Sequence, residues 1–134
     1  MAQNILALYP KDRADLPEDY KAIYTKHYLA NREGQYNTTS VSKRLEAWMH
    51  RQVAADLTPG KVVSTLEIGA GTLNQIPFEP DCGPYDIVEP FRELYETAPG
   101  RERLRNIFAD TSEARGHGPY DRITSTAVFE HITD

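Results

Sequence analysis

The sequence feature that most constrains the fold is an apolar run followed by an acidic residue and two closely spaced glycines. Residues 62–66, Val-Val-Ser-Thr-Leu, lead into Glu67, and the glycines are Gly69 and Gly71. This pattern predicts a buried strand that ends in a tight turn. Glycine suits such a turn because it tolerates positive φ and has no Cβ to hold a ligand away from the backbone. We therefore expect a ligand to approach this turn closely.

The spacing of the glycines distinguishes between nucleotide-type ligands. A dinucleotide fingerprint, Gly-x-Gly-x-x-Gly/Ala, requires a small residue at the position that Asn74 occupies. A phosphate-binding Gly-x-x-x-x-Gly-Lys-Ser/Thr run is absent from the sequence. The Glu67 carboxylate would repel a pyrophosphate, whereas it accepts hydrogen bonds from an ammonium group or from hydroxyls. The turn therefore favours a cationic or neutral ligand, and a glycine turn without a ligand is the structural alternative.

Residues 67–71, Glu-Ile-Gly-Ala-Gly, resemble motif I of the class I S-adenosylmethionine-dependent methyltransferases. That motif is usually written Asp/Glu-x-Gly-x-Gly-x-Gly, and its turn packs against the methionine part and the ribose of the cofactor. The chain departs from the motif at the last glycine, where it has Leu73. The resemblance implies four cofactor contacts in the turn, namely Glu67, Gly69, Ala70 and Gly71.

A second strand is predicted within residues 84–90, Pro-Tyr-Asp-Ile-Val-Glu-Pro. Glu89 lies about 20 residues beyond the glycine turn, the spacing at which a doubly wound fold presents a carboxylate to ribose hydroxyls. A carboxylate suits this role because it has only acceptor sites and can bind two vicinal hydroxyls. The resemblance assigns this role to Glu89, with Pro90 beside it. The structural alternative is a solvated acidic residue at a strand end.

Two further strand patterns follow in the order that the family has. Residues 104–108 precede Asp110, which resembles the family's aspartate that hydrogen-bonds the exocyclic amine of adenine. An aspartate that caps the following turn is the alternative. Residues 120–132 resemble the segment that runs under the cofactor and into the next helix. From these two segments the resemblance implies four more cofactor contacts, at Asp110, Thr111, Ser125 and Thr126.

The first 60 residues are predicted to form two helices, as a cap or lid segment. The first helix opens at Pro17 and ends near Arg32, and the second ends before Pro59. Each has an apolar stripe at helical spacing. The stripes are Tyr20, Ile23, Tyr24, His27 and Tyr28 in the first helix, and Val41, Leu45, Trp48, Met49 and Val53 in the second. Either both stripes are core, or part of the first closes over the cofactor, with Arg32 binding the methionine carboxylate.

The predicted fold class is α/β, with a Rossmann-like doubly wound sheet after the two helices. The family's sheet has seven strands in the order 3-2-1-4-5-7-6, and residues 61–134 carry patterns for strands one to four. We therefore expect this segment to be the first part of a cofactor-binding domain in a longer enzyme, with the later strands missing. Such a sheet would expose its fourth strand as an edge, which favours self-association.

The resemblance implies S-adenosyl-L-methionine as the cofactor and methyl transfer to a small-molecule acceptor as the activity. It assigns no catalytic residue. His131 is a candidate general base beside the expected site, and a helix-start residue without a catalytic role is the alternative. Two other functions stay open: a truncated cofactor-binding module without activity, and a nicotinamide-binding oxidoreductase. Asn74 and Glu67 argue against the oxidoreductase.

Composition narrows the classes of partner. The 134 residues carry a net charge of −5, with basic residues scattered among acidic ones, which argues against a nucleic-acid partner. A single cysteine, Cys82, cannot form an internal disulfide and favours a reducing compartment. No apolar run approaches the roughly 20 residues that span a bilayer, and the histidine spacing suggests no metal site. We expect a cytoplasmic protein without a membrane partner.

Overall fold

In the described part of the chain, four short parallel strands lie at the centre and two longer helices precede them. The structure, a computed structural model, describes residues 17–32, 40–80 and 83–128. The elements are, in chain order, α1 (Glu18–Arg32), α2 (Ser40–Ala54), β1 (Thr65–Ile68), β2 (Tyr85–Val88), α3 (Arg92–Tyr95), β3 (Leu104–Phe108) and β4 (Arg122–Ser125). Single 3-10 turns lie at Ile76–Phe78 and Arg101–Arg103. The α/β class is confirmed.

The strands form one open, parallel sheet in the order β3-β2-β1-β4. β1 therefore lies between β2 and β4, and its Glu67 is opposite Ile87 of β2 and Thr124 of β4. Because the strands are parallel, their carboxyl ends meet at one edge of the sheet. We call this the carboxyl edge; it is formed by residues 69–71, 89–91, 109–111 and 126–128.

Each face of the sheet packs against its own apolar cluster. The buried members of the first cluster are Ala70, Leu73, Ile76, Tyr85 and Ile87. Those of the second are Leu66, Val88, Phe108 and Ala114. Successive strand residues point to opposite faces, so burial on both faces explains why the strands read as apolar runs. The first strand is buried as predicted, although it begins at Thr65 and includes Glu67.

The apolar stripe of α2 does not pack into the core. Four of its members are exposed, namely Val41, Leu45, Trp48 and Met49. The interpretation of this stripe as core is therefore wrong for these residues. The helix is held instead through polar contacts: His50 is buried, and the Arg122 guanidinium of β4 donates a 2.6 Å hydrogen bond to the backbone oxygen of Val53.

Helix α1 contacts the chain just beyond β2 through one of its stripe residues. The Tyr24 ring stacks on the Phe91 ring, with 5.0 Å between centroids and 28° between planes. Tyr20 and Ile23 of the same stripe are exposed, so the core interpretation is wrong for them as well. The Tyr28 side chain lies outside what the structure describes. The contact at Phe91 brings α1 near Glu89, and closure of α1 over a cofactor stays a prediction.

Candidate functional site

The glycine turn leaves β1 through three residues with left-handed backbone conformations. Gly69, Gly71 and Leu73 have φ of 73°, 52° and 59°. Glycine adopts such angles without strain, whereas a leucine in this region is uncommon. The Leu73 side chain is 1% exposed and belongs to the first apolar cluster. Burial of this side chain therefore accounts for a leucine where the family motif has its last glycine.

The Glu89 carboxylate, at the end of β2, binds the glycine turn directly. The Gly71 N–H donates to Glu89 Oε2 at 2.8 Å, and the Phe91 N–H donates to Oε1 at 3.0 Å. Glu89 is buried. Burial raises the pKa of this carboxyl above its ordinary value, and the hydrogen bonds from Phe91 and Gly71 partly oppose that rise. The structure thus brings together two features that the sequence indicated separately.

The close approach expected at Gly69 is made by a residue of the chain itself. A Cβ built on Gly69 would lie 2.3 Å from Val128 Cγ2, inside any permitted contact. Val128 follows β4 at the carboxyl edge, so this contact joins the turn after β1 to the segment after β4. In this structure the space beside Gly69 is therefore filled by Val128.

Two hydroxyl groups at the end of β4 are buried and have no hydrogen-bond partner within the described ranges. They are Thr124 Oγ1 and Ser125 Oγ. Ser125 is opposite Ile68, the last residue of β1, and Thr124 is opposite Glu67. Burial of a hydroxyl without a hydrogen bond costs about 1–3 kcal/mol on mutational scales. Because successive strand residues point to opposite faces, the two hydroxyls lie on different sides of the sheet. Thr126, the next residue, is half-buried.

Asp110 has a local structural role at the end of β3. It is exposed, and its Oδ1 accepts a 2.7 Å hydrogen bond from the Ser112 N–H. The Ser112 side chain and backbone hold the pKa of Asp110 below its ordinary value. Thr111 beside it is exposed. This is the capping arrangement that the sequence allowed as the alternative, and it leaves the carboxylate open to a further donor.

Glu67 lies on a face of the sheet and is 4% exposed. Its Oε2 accepts a 3.0 Å hydrogen bond from the Tyr85 hydroxyl. Burial raises the pKa of Glu67 to about 7, an effect that the Tyr85 hydrogen bond opposes. Burial also raises the pKa of Tyr85, so this hydroxyl keeps its proton and remains the donor. Among the described contacts, Glu67 therefore serves the packing of β1 on β2, and its bond to a cofactor stays a prediction.

The remaining predicted site residues lie at the carboxyl edge or outside the described residues. Ala70 is buried in the first apolar cluster, and Pro90 is exposed beside Glu89. Arg32 is the last residue of α1, but its side chain lies outside what the structure describes. The candidate base His131 also lies outside the described residues.

A concave region, which the sequence did not indicate, lies between α2 and the chain that follows the glycine turn. It measures about 380 Å³. We call it the α2 cleft. Its apolar lining is formed mainly by Leu73, Pro77, Phe78 and Pro99, and its polar lining includes Lys43, Glu46, His50 and Asn74. The sequence did not single out His50, because its hydrogen-bond partner Gln75 is 25 positions away.

The described residues bear on two further questions, metal binding and membrane insertion. No group of three or more His, Cys, Asp and Glu side chains there is arranged to hold a metal ion. None of the helices in that part of the chain combines the length and the apolar character needed to cross a membrane.

No protein-family model matches the chain, and no curated protein matches its sequence. The family resemblance therefore depends on the sequence segments named above, and the cofactor and activity that it implies are proposals.

Proposed function

We propose that the chain binds S-adenosyl-L-methionine at the carboxyl edge of its sheet and serves methyl transfer from this cofactor to a small-molecule acceptor. The observation that carries the proposal is the hydrogen bond between Gly71 N–H and Glu89 Oε2. It holds a buried carboxylate against the glycine turn, where the ribose hydroxyls of an adenosyl ligand need an acceptor.

The strand order supports a Rossmann-like arrangement of this site. The order β3-β2-β1-β4 agrees with the part of the doubly wound order that contains strands one to four. In such sheets the crossovers on the two sides of the first strand run to opposite faces, and ligands bind at the carboxyl ends beside that switch point. The glycine turn follows β1. The Thr124 and Ser125 hydroxyls, which have no hydrogen-bond partner among the described residues, lie on β4. These groups flank that point.

The chemistry of the donor and acceptor set fits the cofactor. Each Glu89 oxygen accepts one backbone N–H, and an ionised carboxylate offers about four acceptor positions in all. Two positions therefore stay open to two vicinal hydroxyls. Val128 limits the contact at Gly69, so we assign the ribose to the Gly71 and Glu89 side of the turn.

When bound, S-adenosyl-L-methionine supplies an electrophilic methyl group on its sulfonium. The residues of this chain then have the task of binding and orientation, which lowers the barrier because the reacting groups meet in a fixed geometry. Glu89 fixes the ribose, and the turn from Gly69 to Gly71 fixes the strand end against which the ligand packs. No residue is assigned as a base.

Calorimetry with S-adenosylhomocysteine and with NAD tests the proposal. We expect S-adenosylhomocysteine to bind and NAD not to bind at the same millimolar concentration. Glu89→Gln should weaken binding by roughly 10- to 100-fold, because a hydrogen bond to a charged group contributes about 1.5–3 kcal/mol. Glu93→Gln, which changes an exposed carboxylate four residues away, is the matched control. Binding of NAD alone, or equal affinity in both variants, would overturn the proposal.

A further inference from the structure

A chain of buried polar groups runs from β4 to helix α2. The Arg122 guanidinium donates to both oxygens of Glu79, at 3.0 and 3.1 Å. The Gln75 amide nitrogen, Nε2, also donates to Glu79. Gln75 is 0% exposed and Glu79 is 6% exposed. Because the Glu79 carboxylate only accepts hydrogen bonds, the amide group of Gln75 must direct its nitrogen towards it.

The orientation of Gln75 assigns the tautomer of His50. Gln75 Nε2 donates a second hydrogen bond to the backbone oxygen of His50 at 3.1 Å, which leaves Gln75 Oε1 facing His50 Nδ1 at 2.7 Å. An amide oxygen accepts and cannot donate, so the proton of this bond belongs to Nδ1. The neutral imidazole then has its lone pair on Nε2, as in other sites where a buried partner orients a functional histidine.

The Nε2 atom of His50 lies beside a second acceptor in the α2 cleft. Glu46 Oε1 is 3.8 Å from it, one helical turn earlier on α2. Both residues line the cleft. A neutral Nε2 accepts a hydrogen bond, so a ligand group that donates one to this atom would be favourable.

The wall of the cleft beside His50 is flat and aromatic. The His50 and Phe78 rings are stacked, with 5.2 Å between centroids and 11° between planes. Leu73, Pro77 and Pro99 add apolar surface. A volume of about 380 Å³ lies in the range of small-molecule pockets, which are mostly apolar with a few placed polar groups.

We propose that the α2 cleft binds a small aromatic molecule that carries a hydroxyl group, which donates its hydrogen bond to His50 Nε2. The aromatic ring lies against the apolar lining, and the O–H group lies beside His50 Nε2. The cleft is separate from the Glu89 carboxylate, and its ligand is defined by its own groups. The proposal therefore stands whether or not the chain binds S-adenosyl-L-methionine.

A nuclear magnetic resonance titration with phenol and with anisole tests the ligand class. Anisole has the same ring, but its oxygen carries a methyl group and cannot donate. We expect phenol to shift the His50 Nε2 resonance and the amide resonances of Leu73 and Phe78, and to bind roughly 10-fold more tightly than anisole, because a lost hydrogen bond in a buried site costs about 1–3 kcal/mol. The long-range proton–nitrogen spectrum of the free protein should show the Nδ1–H tautomer.

A variant that fills the cleft without touching the polar chain tests its location. Ala47→Phe places a ring inside the cleft, since Ala47 is one of its lining residues. We expect it to abolish the phenol shifts while the His50 tautomer stays unchanged. Gln52→Phe, at an exposed position of α2, is the control and should keep phenol binding. Any one of four results would overturn the proposal. Two concern affinity: phenol and anisole bind equally well, or phenol does not bind at millimolar concentration. The others are an Nε2–H or imidazolium form of free His50, and phenol binding that persists in the Ala47→Phe variant.

Discussion

The backbone N–H of Gly71 and the Oε2 atom of Glu89 are joined by a hydrogen bond of 2.8 Å, which ties the turn after β1 to the end of β2. Two strands that are already paired in register are thus also linked at their carboxyl ends. The bond fixes the direction of a buried carboxylate and satisfies a backbone donor of the turn. Any ligand that binds at this edge therefore meets a site that is already formed.

We predict that Glu89→Gln destabilises the fold by about 1–3 kcal/mol. Both carboxylate oxygens of Glu89 accept backbone N–H groups, from Gly71 and from Phe91. A glutamine amide can present its oxygen to only one of them, so its nitrogen faces a second donor. Urea unfolding monitored by circular dichroism measures the change. Glu93→Gln, at an exposed position, should unfold like the original protein, and an equally stable Glu89→Gln variant would contradict the prediction.

Glu67 should make the stability depend on pH. Its pKa is about 7 in the folded state against an ordinary value of 4.5. At a pH below 4.5, Glu67 is protonated in both the folded and the unfolded state, and its contribution to stability is complete. As the pH rises towards 7 the unfolded chain loses its proton first, so the folded state becomes less stable, by roughly 3 kcal/mol in all. Above about pH 7 this contribution levels off.

The measurement that isolates Glu67 is a series of unfolding curves on the Glu67→Gln variant across this range of pH. Glutamine has the shape of the protonated carboxyl, and its oxygen can still accept the Tyr85 hydroxyl. We expect the variant to lose the decline in stability and to exceed the original protein at about pH 8. Parallel stability profiles for the two proteins would show that Glu67 does not titrate in this way. Glu93→Gln should leave the decline unchanged.

Gly69→Ala should be more destabilising than Gly60→Ala. Both glycines have positive φ, 73° and 82°, and both substitutions therefore meet backbone strain of roughly 1–2 kcal/mol. Only at Gly69 would the new Cβ also meet another group, Val128 Cγ2 at 2.3 Å, whereas Gly60 has open space. Thermal unfolding of both variants measures the difference. Combining Gly69→Ala with Val128→Ala should recover the part due to the clash, and equal melting temperatures for the two single variants would contradict the contact.

The elements of the sheet were predictable because each is marked by a local pattern. The run before Glu67 and the turn residues around Gly83 and Pro84 delimit β1 and β2 within a few residues of where they lie. The position of Glu89 was predictable in the same way, from its spacing to the glycine turn. The hydrogen bond between Glu89 and the glycine turn required only that β1 and β2 be adjacent and parallel.

The contacts of α2 were not predictable from local pattern. Its apolar residues recur at helical spacing, which normally marks the buried face, yet Val41, Leu45 and Trp48 are exposed. The helix is attached through His50, whose partner Gln75 is 25 residues away, and through the backbone oxygen of Val53, which pairs with Arg122 69 residues away. No spacing rule relates residues so far apart. The α2 cleft was missed for the same reason.

The ion pair between Arg122 and Glu79 should be the most sensitive polar contact in the fold. Both side chains are buried, and the Arg122 guanidinium also pairs with Asp56 at 3.0 Å. Arg122→Met leaves the Glu79 carboxylate in the interior without its cation, and removing one partner of a buried pair costs about 3–5 kcal/mol.

A double-mutant cycle checks whether this cost comes from the unpaired charge. Arg122→Met combined with Glu79→Gln removes both charges, and we expect it to be more stable than Arg122→Met alone because an uncharged pair needs less solvation. Arg92→Met, which removes one partner of the exposed pair with Glu96, is the control and should change the stability little. If the double variant is as unstable as the sum of the two single variants, the two side chains act independently and the unpaired Glu79 charge is not the source of the cost.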